Sequence, residues 1–339
     1  MRQHPVQAAI QAVLGGRKLT EKKHQVISQI ERLLEHDTAG DPMSSLRWTH
    51  QTTAKIAGQL QRLGIRVGAR TVARLLDKLR FSLRVNRKKI GSGKHSTRDQ
   101  QFGRITRLRR RFCRYGDPSI SVDAKKRELV GNFQNAGRKW GRVPTPVNDH
   151  DFRSLAKGIA LPYGIDDPPA NRSSVFVGVS HETSAFAVTS ICRWWRREGQ
   201  RRYPRSPHRL LLADTGGSNS ASRGAWKDQL QRQLCDRLGL TVTVAHYPTG
   251  NSKYNPIERR LFSQITHNRA AEPLTDYNTI LGLIRNTTTT TGLKVRAYLD
   301  TNDYPLKVKP SAQRLRELRI TRNKILPKWN YTIAPSNAK

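Results

Sequence analysis

Ile120-Ser121-Val122-Asp123, together with its counterpart Leu210-Leu211-Leu212-Ala213-Asp214, decides the fold of this chain. Each is an apolar run of strand length that ends on an acid. A third acid, Glu258, lies in Asn255-Pro256-Ile257-Glu258-Arg259-Arg260-Leu261-Phe262, which reads as the opening turns of a helix. The formal net charge is +37, so acids delivered by two strand ends and a helix need a chemical reason. Carboxylates converging in a basic protein make a hard-cation site that faces phosphates. Each acid alone has an ordinary reading, as a turn former at a strand end or, for Glu258, as a surface partner of Arg259. The weight rests on their order and setting.

Outward from these runs, Ile120–Asp123 reads as a first strand, with Arg127–Phe133 expected to pair with it. Residues 134–172 contain five prolines and several glycines and read as an inserted loop. Ser174–Val179 and Ala185–Ile191 are rich in strand formers and are expected to make a hairpin. Arg193–Glu198 suits a helix, Arg209–Ala213 a buried strand, Arg223–Leu238 an amphipathic helix and Thr241–His246 a further strand. Helices over Ile257–Asn268 and Asp276–Arg285 follow. Three strands, helix, strand, helix, strand, helix is the ribonuclease H-like succession: an α/β fold whose mixed sheet is flanked by helices. It puts Asp123 on the central strand, Asp214 at the end of its neighbour, and Glu258 on a later helix that closes the same edge.

An all-α region precedes this core. A helix is expected over residues 20–36, then a break at Gly40-Asp41-Pro42. Thr52–Leu63 and Ala69–Leu79 are amphipathic around a turn at Gly64, and Arg70, Arg74 and Lys78 project outward from the second. Two short helices about a glycine turn, followed by a tail with Arg87 and Lys88, fit a helix-turn-helix that grips DNA; an ordinary helical hairpin is the alternative. Residues 98–114 form an arginine-rich helix that either tracks DNA or only connects. The expected organisation is a helical segment over 1–39, a helix-turn-helix-like region over 40–89 and a linker with basic helix over 90–117. The catalytic domain then covers 118–292 with its inserted loop 134–172, and an extension covers 293–339.

Lysine and arginine number 62 against 25 acids, an excess far beyond what solubility needs and one that favours a polyanionic partner through counterion release. Residues 1–112 hold 25 basic and 7 acidic side chains, and residues 113–339 hold 37 and 18, so the N-terminal third is about twice as charge-dense, as a DNA-gripping module would be. Cys113, Cys192 and Cys235 are too far apart for a zinc site or a disulfide framework. With no long apolar run and no signal peptide, neither a membrane partner nor secretion is expected, and a reducing cytoplasm fits.

Phosphodiester cleavage or transfer needs an activated oxygen nucleophile, a stabilised leaving oxygen and neutralised phosphate charge, which a pair of Mg²⁺ ions supplies. Asp123, Asp214 and Glu258 are the expected metal ligands and catalytic carboxylates. Lys125, Lys126 and Lys253 are expected to hold phosphate beside them, and Asn219 and Asn255 to orient groups at the site. His246 is read as structural, and Trp194 and Trp195 as core.

The chain resembles the Rhodopirellula-type DDE transposases of bacterial insertion sequences. The likeness is carried by Ser121-Val122-Asp123-Ala124-Lys125-Lys126, Pro162-Tyr163-Gly164, Arg193-Trp194-Trp195 and Ala213-Asp214-Thr215-Gly216-Gly217-Ser218-Asn219. It continues through Ser252-Lys253-Tyr254-Asn255-Pro256-Ile257-Glu258-Arg259-Arg260-Leu261-Phe262 to Trp329-Asn330-Tyr331-Thr332-Ile333. The resemblance implies an Asp123, Asp214, Glu258 triad holding Mg²⁺, with Mn²⁺ able to substitute. It also implies cutting of an element's terminal repeats and joining of the freed 3′-OH to target DNA, by a homodimer or larger assembly. Family members often carry further DNA-binding helices ahead of the Gly15-Gly16-Arg17-Lys18 region, so a copy shortened at its N terminus is expected. A ribonuclease H-like nuclease without strand transfer, or an inactive DNA-binding relic, stays open.

Overall fold

The computed structural model describes residues 20–37, 39–40, 47–48, 51–79, 81, 97–139 and 142–336. They fall into two compact units, residues 1–90 and 91–339. Arg87 and Lys88 lie outside the described residues.

In the first unit, helix α1 (Thr20–Asp37) is followed by a two-residue ladder of β1 (Ala39–Gly40) and β2 (Arg47–Trp48), then α2 (Thr53–Arg62) and α3 (Ala69–Lys78). The Thr52 hydroxyl accepts from Lys55 N–H at 3.2 Å and caps α2. Gly64 takes the left-handed conformation that the turn requires. Val26 and Ile30 of α1, Ile56 and Leu60 of α2, and Val72 and Leu75 of α3 form one core.

The second unit opens with α4 (Arg98–Arg114) and builds one nine-stranded sheet. Its centre is β3 (Ser119–Ala124), flanked by the antiparallel β5 (Gly158–Asp167) on one side and the parallel β7 (His208–Ala213) on the other. Beyond β5 lies β6 (Arg172–Gly178), and beyond β7 lies β8 (Thr241–His246). These five strands, with only β5 reversed, are the ribonuclease H-like arrangement. The sheet is widened by β9 (Lys294–Asp300) beside β6, and by β11 (Asn330–Ile333) and β10 (Ile320–Arg322) beyond β8. The stretch expected as an extension thus supplies three strands of the same sheet.

Two layers of helix cover it. One face carries α5 (Ser184–Trp194), which runs on through Trp195–Arg202, and α6 (Gly224–Gln229), which runs on through Leu230–Asp236. Phe186, Ile191, Trp194, Trp226 and Leu230 pack there on Ile120, Val122, Leu211 and Val244. The other face carries α4, whose Ile105, Leu108 and Phe112 meet Leu210, Leu212 and Ala245. It also carries the helix formed by Glu258–Phe262 and α7 (Ser263–Asn268), and α8 (Tyr277–Arg285), packed on Val175 and Val177. Alternate residues of one strand thus enter opposite cores, which is why β7 reads as an unbroken apolar run.

Three expectations need correction. The loop expected over 134–172 contains β5, a ten-residue central strand hidden by Pro162 and two glycines. Pro162 is tolerated because it lies opposite Lys125, one residue past the end of β3: its carbonyl still accepts from Lys125 N–H, and its missing N–H costs only a bond beyond the ladder's last pair. The stretch 127–133 yields only β4 (Glu128–Val130), which pairs with β5 rather than β3. Ala185–Ile191 is helix, not strand: it is buried nearly all round, so no polar stripe marks its period, and the Thr183 hydroxyl caps it by accepting from Phe186 N–H at 3.2 Å. Trp194 and Trp195 are core, as read.

Candidate active site

Val122 of β3 pairs in register with Ala213 of the parallel β7. Asp123 and Asp214 each follow by one residue, so they leave the sheet side by side, on backbones about 4.8 Å apart. The third acid comes from the opposite direction. Gly164 of β5 faces Asp123 across the ladder, and a side chain there would meet Phe262 Cε1 at 2.7 Å and Ile257 Cδ1 at 2.8 Å. Lacking a Cβ, Gly164 lets the helix bearing Glu258 lie directly against the strand beside Asp123.

Asn255 ties the three acid-bearing elements together. Fully buried, it accepts from the Ser121 hydroxyl of β3 and donates through Nδ2 to Asp214 Oδ1 at 3.3 Å and to Val122 O at 3.5 Å. Its own carbonyl accepts from Glu258 N–H at 3.1 Å. Asp123 is pinned at one oxygen only, Oδ1, which accepts from Ala124 N–H at 2.8 Å. Among the described residues the second oxygen of each aspartate takes no hydrogen bond, which leaves both open to a ligand.

The electrostatics mark the acids as one group. Burial raises the pKa of Asp123 well above the carboxylate range, and the charges of Asp214, Glu258 and Glu182 push the same way. Burial, with Glu258, raises Asp214 to about 6 against the pull of its Asn255 hydrogen bond. Burial raises Glu258 too, countered by Lys125. Buried carboxylates that repel one another are stabilised by a cation between them. The donor set, hard anionic oxygens with free lone pairs, fits Mg²⁺ or Mn²⁺. Among the described residues, however, no three His, Cys, Asp or Glu side chains stand close enough to ligate a single ion; the charge of Asp214 acts on Asp123 more strongly than that of Glu258, which acts on both aspartates.

The other residues expected at the site divide. Lys125 is half-buried and ion-paired to Glu128 at 3.2 Å, so it faces into the protein beside Glu258 rather than standing free for phosphate. Lys126 and Lys253 are exposed, and the Lys253 ammonium sits 5.2 Å from the Tyr254 ring centroid. Arg70 and Arg74 are exposed on α3 in the other unit and Lys78 is half-buried there. Asn219 is buried and accepts from the Tyr163 hydroxyl at 2.8 Å, which anchors the loop after Asp214 to β5. His246 is structural: it is buried, and its Nδ1–H donates to Asp214 O at 2.9 Å because a carbonyl can only accept. Its Nε2 therefore accepts from the Tyr331 hydroxyl at 3.1 Å. Burial lowers its pKa to about 4.

Two participants escaped the sequence reading. Gly164 looked like a loop residue. Glu182, exposed in the turn ahead of α5, accepts from Ser218 N–H at 3.2 Å and adds its charge to the field on Asp123. Nothing in its local pattern distinguishes it from a solvated turn acid.

The fold and the paired acids define a ribonuclease H-like protein with a carboxylate site at the end of its central strands. The family model for the Rhodopirellula transposase DDE domain matches residues 29–335, and the chain belongs to that family. Comparison with curated proteins gave no match. Among solved structures, the chain is similar to the Mos1 transposase paired-end complex with left transposon end, at 17% identity and a TM-score of 0.40 over 75% of this chain and 68% of that one. A pre-cleavage Mos1 transpososome gives 16% and 0.41 over the same shares. A Mos1 mariner paired-end complex with Mn gives 13% and 0.38, over 81% of each chain.

Proposed function

We propose that this chain is a DNA transposase that cuts the ends of an insertion sequence and joins them to target DNA, with Asp123, Asp214 and Glu258 holding Mg²⁺ or Mn²⁺. The observation that carries the reading is the in-register exit of Asp123 and Asp214 from adjacent parallel strands, each with one oxygen fixed and one free. Divalent cations bound there would supply Lewis acidity to the attacking and leaving oxygens. The chain's own residues do the rest. Asn255 and His246 fix Asp214 by side chain and backbone, Ala124 N–H fixes Asp123, and the close approach at Gly164 sets the distance of Glu258. In the first step a water oxygen bonds to phosphorus as the bond to the 3′ oxygen breaks, and that oxygen leaves with the electron pair and takes up a proton. In the second the freed 3′-OH attacks a target phosphodiester in the same way. Arg70, Arg74 and Lys78 of α3, with Arg87 and Lys88 beyond it, are proposed to grip the terminal repeats, and Lys126 and Lys253 the phosphates beside the acids. Two ends must be cut, so a dimer or larger assembly is the working form, in the cytoplasm at the nucleoid; among the described residues no helix is long and apolar enough to cross a membrane.

The test is Mg²⁺-dependent cleavage and joining of DNA carrying the element's ends by Asp123→Asn, Asp214→Asn and Glu258→Gln. Each should lose both steps while still binding DNA. Full cleavage by any of the three sinks the assignment, and cleavage without joined products by the wild type reduces it to a nuclease.

A further inference from the structure

Helix α4 carries seven arginines and one acid, Asp99, in seventeen residues, yet it packs on β7 and β8 through its apolar stripe and the buried Gln101, whose amide donates to His246 O at 2.7 Å. Between α4 and the first residues of β7 and β8 lies a cavity of about 490 Å³. Arg104, Arg111, Arg205 and His208 line it against a single acid, Asp117. That acid is already engaged: it accepts from the Ser206 hydroxyl and lies in the field of Arg209. Arg104 shows what is missing. Its Nε is buried without a hydrogen-bond partner among the described residues. Burial, then the charges of Arg107 and Arg111, lower its pKa from the usual arginine value. An unpaired guanidinium N–H among like charges is stabilised by an anion. On the opposite flank of the same helix a second cavity, about 550 Å³, is lined by Arg109, Arg110 and Arg114.

We propose that α4 is a backbone-binding ridge for duplex DNA, with the Arg104, Arg111 and Arg205 groove taking successive phosphates. The inference rests on the reading of the chain as a DNA-processing protein, but concerns a surface that this reading leaves unused. A polymer fits better than a free phosphate because the cations continue past the groove along the helix, which at about 1.5 Å per residue is about 25 Å long. At about 3.4 Å per base pair that matches about seven base pairs. The groove is not the scissile site: it opens at His208, six residues along β7 from Asp214, or about 20 Å away at strand rise. DNA held there is either the flank of the duplex being cut or a second duplex.

Binding of a random-sequence 30-base-pair duplex to the full chain, in EDTA and over a range of salt, tests the ridge. Each phosphate contact contributes a slope of about 0.9 to the dependence of log K on log salt, so Arg104→Gln/Arg111→Gln/Arg205→Gln should lower the slope by about 2 to 3. At about 0.1 M salt the affinity should fall on the order of 100-fold by the same relation. The corresponding triple lysine variant should keep the wild-type slope, and both should melt as the wild type does. A triple Gln variant at the exposed Arg196, Arg201 and Arg237, on the other face of the sheet, should change little. An unchanged slope in the groove variant, or an equal loss from the control variant, overturns the ridge alone. A wild-type chain with no salt-dependent DNA binding overturns the DNA-processing reading as well.

Discussion

Gly164→Ala is the smallest change that should separate the two arms of the carboxylate site. The new methyl would sit 2.7 Å from Phe262 Cε1, 2.8 Å from Ile257 Cδ1 and 2.9 Å from Phe262 Cζ. Carbon atoms in a packed core rest at about 3.5–4.0 Å, so the helix must recede by about 1 Å. Neither contact can swing into solvent: Ile257 is 0% and Phe262 3% exposed, and both pack among Leu261, Ile265 and Ile280. Glu258 follows Ile257 directly and moves with it. Overpacking of this kind costs about 1–3 kcal/mol. At roughly 2–4 °C per kcal/mol for a unit of this size, melting should fall by about 2–12 °C. The loss of cleavage should be disproportionate, on the order of 100-fold for a displacement near 1 Å, at temperatures where the variant is fully folded. Cleavage rates and thermal melts of the wild type, Gly164→Ala, Phe262→Leu and the double variant form a cycle. Trimming the ring should restore both stability and rate in the alanine background, although by itself it opens a cavity. A Gly164→Ala enzyme that cuts as fast as the wild type, or one that Phe262→Leu cannot rescue, would show that this approach does not set the position of Glu258.

Asp214→Asn should stabilise the metal-free protein. The native carboxyl titrates at about 6 against 3.8 for the ordinary group, so above pH 6 the fold carries a charge it disfavours, at a cost on the order of 3 kcal/mol. The variant should therefore melt higher than the wild type at pH 7.5 in EDTA. That advantage should fade as pH falls through 6 and vanish near 3.8; an offset equal at pH 5 and 7.5 refutes it. His246 acts in the opposite sense. Its folded pKa of about 4 lies below the ordinary 6.5, so stability is lost as pH falls from 6.5 toward 4, by up to about 3 kcal/mol. His246→Phe should be less stable at pH 7 but lose less on acidification, and a variant with wild-type acid sensitivity contradicts the buried neutral tautomer. Glu128→Gln should be costly. Burial pulls the Glu128 pKa up, but the Arg269 hydrogen bond and charge outweigh it. Arg269 is only 4% exposed, so removing its partner should cost about 3–5 kcal/mol in urea denaturation; the Glu128→Gln/Arg269→Met double variant should recover much of this, and failure to do so would relocate the loss.

The parts of this molecule legible in its sequence are those whose physics is local. Asp123 and Asp214 announce themselves because a parallel strand buried on both faces must be apolar until it ends, so an acid at that point is conspicuous. Helices α2 and α3 show because one face is wet and the other dry. The parts that stayed hidden depend on partners far along the chain. Pro162 and Gly164 argue against a strand when only neighbours are considered, yet β5 is the strand that faces Asp123. The proline falls where β3 has ended, and the glycine is required by the Ile257 side chain and the Phe262 ring of a helix nearly a hundred residues later. Helix α5 reads as strand for the complementary reason, since burial all round erases the period that would reveal it. Asn255 was visible as a polar neighbour of Glu258, but its function is to join Ser121, Asp214 and Glu258, three positions with no sequence relation. The same logic applies to α4. Its arginines could be counted from sequence, but whether they are a solvated face or a binding ridge turns on Arg205 and His208, brought beside them by β7, and on one buried Arg104 nitrogen left without a partner. Charge density can be read along a chain; a site needs the fold to bring unlike segments together and leave something between them unsatisfied.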